Sequence, residues 1–167
     1  TTEIYTLSLH DALPILRVGV GVYTFGYTSN IKPIDRVRMF ERADPQHLMS
    51  ESEYQMFSNL PDGLKIYRGG INVAPKKLKY GMSWTTEINQ AAWFANRYCS
   101  KEDKPVVIEA TVKKENVFGC FDYENEVIIR GGRVSKMKVS EIDIKKASGL
   151  QNEKQKAELM GSTKKAA

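Results

Sequence analysis

Tyr123-Glu124-Asn125-Glu126-Val127-Ile128-Ile129 sets two acidic residues directly ahead of a β-branched run. In a strand, alternate side chains share a face, so Glu126 falls on the face of Ile128. Two earlier stretches break the apolar pattern in the same way. Leu64-Lys65-Ile66-Tyr67-Arg68-Gly69-Gly70 puts Arg68 on the face of Ile66, and Gly81-Met82-Ser83-Trp84-Thr85-Thr86 opens a second strand with hydroxyls. Arg and Glu are seldom buried without a partner or a ligand, because taking either charge out of water costs several kcal/mol. A cleft that gathers the three stretches accounts for all of them.

Other segments supply a framework. Ile34 to Arg42 has helical spacing, Asp44-Pro45 reads as an N-cap with proline in the first turn, and Ser50-Glu51-Ser52-Glu53 is a capping box. Short helices therefore precede the first strand, Leu64 to Arg68, which is introduced by the Pro61-Asp62-Gly63 turn. A polar connection leads to a strand over Tyr80 to Thr85. A helix follows, its inner face Ile88, Ala91, Ala92, Ala95 and Cys99. Val106 to Val112 alternates as a half-buried strand, and Val117 to Phe121 and Glu126 to Arg130 are further strands. Arg133 to Val139 with Glu141 to Lys145 makes one or two more. The fold class is α+β, with N-terminal helices, a mostly antiparallel β core and one helix after the second strand.

The order of an Arg past a strand, a Ser/Thr patch opening a second strand and Glu-x-Glu opening a third resembles the Arg-Ser-Glu class of mono-ADP-ribosyltransferases. The resemblance covers about Leu64 to Arg130. Ser83-Trp84-Thr85 stands where that family has Ser-Thr-Ser, the Trp being a departure, and Glu124-Asn125-Glu126 stands for its Glu-x-Glu. It implies an ADP-ribosyltransferase-like fold and NAD as ADP-ribose donor, with no metal. Cleaving the bond from nicotinamide to ribose develops positive charge on the sugar, as in glycoside hydrolysis, and a carboxylate stabilises it. By the resemblance Glu126 is that carboxylate, Ser83 orients it, and Glu124 faces the acceptor, so Glu126, Glu124 and Ser83 form the candidate catalytic set. The candidate NAD-binding set is Arg68, Gly69, Gly70, Trp84 and Thr85. Arg68 would hold the pyrophosphate or brace the ribose, the glycines allow close backbone approach, and aromatic cover for the nicotinamide would come from Trp84, Phe94 or Phe121.

The implied activity is transfer of ADP-ribose to a protein side chain, arginine favoured. One alternative is an NAD glycohydrolase of the same fold; another is a catalytically silent basic module that binds nucleic acid or a partner protein. A bacterial toxin and a phage-encoded host modifier fit equally. Against nucleic acid, the basic residues are not interleaved with aromatics on one evident face.

Residues 1–15, TTEIYTLSLHDALPI, resemble the translation of a sequencing-library adapter and are set aside with His10 and Asp11. Residues 16–30 read as the remnant of a strand or as a linker, 31–146 as one domain, and 147–167 as a Lys-rich tail that is a frayed helix or disordered. Without Glu3 and Asp11 the 20 acidic residues become 18 against 25 basic ones, so the formal charge moves from +5 to +7. That balance suits an acidic or phosphate-bearing partner, or a solvated lysine surface. The compartment stays open, cytoplasmic following only if no targeting signal precedes Leu16. No apolar run approaches the roughly 18 residues of a membrane span. Cys99 and Cys120 have no metal-ligand spacing around them, and His47 has no second ligand near it.

Overall fold

A computed structural model describes residues 32–165, so the expectations for 1–15 and 16–30 lie outside the described residues. Three helices come first: α1 (Pro33–Arg42), α2 (Pro45–Leu48) and α3 (Glu51–Ser58). Their starts follow local chemistry. Asp44 Oδ1 accepts the Gln46 N–H at 3.0 Å, and Ser50 and Glu53 cap one another reciprocally, at 3.3 Å to the Ser50 hydroxyl and 2.7 Å to the Glu53 carboxylate.

The strands are β1 (Leu64–Ile71), β2 (Ser83–Thr85), β3 (Pro105–Val112), β4 (Val117–Phe121), β5 (Glu126–Ile129) and β6 (Val134–Val139). They form one sheet in the order β4-β5-β2-β1-β3-β6, every neighbouring pair antiparallel. Helix α4 (Pro75–Leu78) lies between β1 and β2, α5 (Ile88–Asn96) follows β2, and α6 (Ile144–Lys165) closes the described chain. The α+β class, the leading helices, the antiparallel core and the helix after the second strand are as the sequence predicts.

Register decides which side chains meet. Phe121 pairs with Glu126, Glu126 with Thr85, Thr85 with Tyr67, Tyr67 with Glu109 and Glu109 with Lys138, one row across all six strands. On this face Phe121 and Ile128 pack with Phe40, Leu48, Met49 and Met82 under α1 to α3, while Tyr67 and Val107 pack under the alanines of α5. Glu126 and Thr85 occupy the interval between those two clusters. The opposite face is apolar, with Ile66, Ile108, Ala110 and Val112 of β1 and β3 joined to Trp84, Val127 and Ile129 of β2 and β5 in a single core. Burial of such side chains, about 1.5–3 kcal/mol each, fixes the register that places the polar row.

Two elements differ from the sequence expectation, and two others settle alternatives that it left open. The connection after β1 contains α4, and β2 is confined to Ser83–Thr85 because Tyr80 is held in a turn by its N–H bond to Lys77 O at 3.3 Å. Of the one or two strands expected between 133 and 145 there is one, because Asp143 starts a helix, its carboxylate accepting the Lys146 N–H at 3.1 Å. The segment from 147 onward continues that helix, and Ala147, Ser148 and Gln151 are buried. Past Ile144, which packs on the α5 alanines, its contact face is small and polar. Gln151 Nε2 donates to Gln90 Oε1 at 2.5 Å, Asn96 Nδ2 to Ser148 Oγ at 3.3 Å, and Trp93 Nε1 to Asn152 Oδ1 at 2.7 Å.

Candidate active site

Ser83 is the residue on which the three stretches converge. Its partner across the sheet is Ile128, two positions from Glu126, so its side chain stands diagonal to Glu126 on the same face. Its hydroxyl donates to Glu126 Oε1 at 2.5 Å, and its carbonyl accepts a bond from Arg68 Nη1.

Arg68 reaches that carbonyl from the other side. Because Tyr67 pairs with Thr85, the next residue, Arg68, lies on the face of Trp84, and its guanidinium passes across Gly81 at the start of β2. A Cβ at Gly81 would overlap the guanidinium, so the glycine is what makes room for it. β1 pairs with β3 over all eight residues but with β2 only at Tyr67, so beyond Tyr67 the β2 ladder ends and Arg68 crosses there.

Glu126 is 5 % exposed. Desolvation raises its pKa from 4.5 to about 7; the Ser83 hydrogen bond and the Arg68 charge oppose this, and the like charge of Glu124 adds to it. A carboxylate so placed is a high-energy anion, and stabilises any positive charge that develops against it. Glu124 is half-buried, its pKa raised by desolvation and pulled back by Arg97. Glu124 and Asn125 both have left-handed backbone, φ 63° and 48°.

Several expected contributors sit elsewhere. Trp84 is 2 % exposed in the apolar core, on the face away from Ser83 and Glu126, with its indole N–H donated to Gly81 O at 2.9 Å. It cannot cover a ring bound beside Glu126, because neighbours along a strand point to opposite faces. Gly69 and Gly70 lack side chains for an internal reason: a Cβ on Gly69 would collide with the α5 backbone at Ala91 and Ala95, and one on Gly70 would lie 2.7 Å from Leu78 Cδ2. Thr85 is 3 % exposed and its hydroxyl bonds the chain itself, donating to Glu124 O at 3.0 Å and accepting from Glu87 N at 3.1 Å. Phe121 is buried beneath the N-terminal helices, which leaves Phe94, half-buried and edge-on to Trp93 at 5.3 Å, as the aromatic nearer solvent.

Arg97 was not apparent from the sequence. It lies 4.7–4.9 Å from the rings of Trp93, Phe94 and Tyr98, and its charge is felt at Glu124. The signal available was its place one turn beyond Trp93-Phe94 on a helix that follows the Ser/Thr patch. The thiols take no part: Cys120 is buried and its pKa pushed up to about 12, and Cys99 is also raised by desolvation and donates to Ala95 O at 3.0 Å. His47 is a surface partner of Asp44 at 3.4 Å. Among the described residues no group of His, Cys, Asp and Glu is arranged to hold a metal ion, and no helix is long and apolar enough to cross a membrane.

Comparison with protein families, with curated proteins and with solved structures finds no match for this chain.

Proposed function

We propose that this chain is a mono-ADP-ribosyltransferase that cleaves the bond between nicotinamide and ribose in NAD and passes ADP-ribose to a protein side chain, arginine first. The observation that carries this reading is the Ser83 hydroxyl on the Glu126 carboxylate, at 2.5 Å, in the polar interval between two helix-covered clusters. NAD supplies the leaving group and the ribose carbon at which positive charge develops. Glu126 stabilises that charge, and its poor solvation makes the stabilisation stronger than water would allow. Ser83 is a positioning residue, fixing the carboxylate's rotation; Arg68, bound to the Ser83 carbonyl, fixes Ser83 in turn. The β1 edge past Tyr67, where β2 no longer pairs, offers backbone groups for the nicotinamide amide. Glu124, two residues from Glu126 and already balanced against the Arg97 guanidinium, suits an arginine acceptor.

The test is the full chain with NAD labelled in its ADP-ribose half, following nicotinamide release and label transfer to poly-L-arginine. Loss of both in Glu126→Gln, with loss of transfer alone in Glu124→Ala, is the expected result. Release without transfer in the wild type would reassign the chain to NAD glycohydrolysis. No release from a folded wild type would leave the silent binding module.

A further inference from the structure

We propose that Thr85 is a positioning residue that decides between acceptor and water, by clamping Glu124 and Asn125 in the left-handed backbone that aims Glu124 at the acceptor. This rests on the transferase reading above. Glu124 and Asn125 have φ 63° and 48°; asparagine adopts this backbone readily, whereas a glutamate does so seldom and is held there by its surroundings. The surroundings here are explicit. The Thr85 hydroxyl donates to Glu124 O at 3.0 Å, the Thr86 N–H donates to Asn125 O at 3.1 Å, and the Asn125 N–H returns to Asp122 O at 3.2 Å. Asp122 is itself tied down, its N–H donating to Glu53 Oε1 at 3.1 Å.

Thr85 has one hydroxyl proton, and it is committed to Glu124 O; the oxygen accepts from Glu87 N. The side chain therefore has no donor left for a substrate, and its work is on the loop. Glu126 does not depend on that clamp to the same degree. It is paired in register with Thr85 and Phe121 through the strands and is held by the Ser83 hydroxyl. Loosening the clamp lets Glu124 and Asn125 relax toward negative φ and swings the Glu124 carboxylate, while Glu126 keeps its place. In the reaction the bond from ribose C1′ to nicotinamide nitrogen breaks with its electron pair leaving on nicotinamide, and C1′ bonds to the acceptor nitrogen, whose proton passes to Glu124. With Glu124 displaced, water takes the acceptor's place and free ADP-ribose results.

The experiment measures, in one assay, total nicotinamide released from labelled NAD and the fraction of label on poly-L-arginine. For Thr85→Val the fraction transferred should fall about tenfold or more while release stays within about twofold, and Thr85→Ser should restore transfer. An unchanged fraction, or release and transfer falling in parallel, overturns the proposal. Should Thr85→Val fail to fold, Thr85→Ala reads the same partition, since it removes the same hydroxyl from Glu124 O without adding a methyl group; an unchanged fraction in that variant also overturns it. A wild type that releases no nicotinamide defeats the transferase reading and this inference together, whereas a working wild type with an insensitive partition defeats the inference alone.

Discussion

An ionised Glu126 sits where water hardly reaches, and folding has to carry that charge inward. Its pKa, raised from 4.5 to about 7, makes ionisation harder in the folded chain than in the unfolded one. The penalty is absent below about pH 4.5, grows as pH rises, and is complete above about pH 7, where it amounts to about 3 kcal/mol. Glu126→Gln should therefore melt about 6–12 °C above the wild type at pH 8, and the difference should close by pH 4, as followed by thermal denaturation across pH. The same group predicts the activity profile. Nicotinamide release that needs the Glu126 anion should fall off on an acid limb near pH 7. Because the Glu124 charge helps to hold that value up, Glu124→Gln should move the limb to lower pH. A limb that stays in place would mean that another group titrates.

Glycine separates two kinds of close approach among the elements. Gly69 faces the backbone of α5, which cannot yield without moving the helix, whereas Gly81 faces the far end of the Arg68 side chain. Gly69→Ala should cost about 3 kcal/mol or more, seen as a fall in denaturation midpoint. Gly81→Ala should keep that midpoint nearly unchanged, yet lower nicotinamide release about tenfold, because Arg68 would be pushed from the Ser83 carbonyl. Equal loss of stability in both would show that Arg68 is part of the packing alone. These elements also show what the sequence could disclose. The capping box at Ser50 and the Glu126 strand are local patterns, and the structure repeats them. The pairing of Ser83 with Glu126 was implied by the resemblance and not by the strand pattern, which does not say that β2 and β5 are neighbours. The burial of Trp84 was not legible, because β2 has three residues and its inward side is set by its neighbours' register. Thr85 likewise looked available until the left-handed turn at Glu124 brought a carbonyl to its hydroxyl.

At the scale of the whole molecule, the decisive seam runs between α5 and α6. Helix α5 covers the β1 end of the polar row through Ala91, Ala92 and Ala95, and α6 backs it with Ala147, the Gln90–Gln151 pair and the Trp93–Asn152 bond. Past Ile144, which packs on the α5 alanines, the buried side chains of α6 are Ala147, Ser148 and Gln151, so its sequence reads as a solvated tail although its first two turns belong to the core. Beyond Asn152 the helix is mostly exposed. Ending the chain after Asp143 removes Ile144, the buried alanine and all three side-chain bonds to α5, a loss on the order of 3 kcal/mol. Its melting temperature should fall by about 6–12 °C. Ending it after Asn152 should shift melting by no more than about 2 °C, because the retained turns hold every contact named here. Equal melting of the two truncations would show that α5 holds the site without α6.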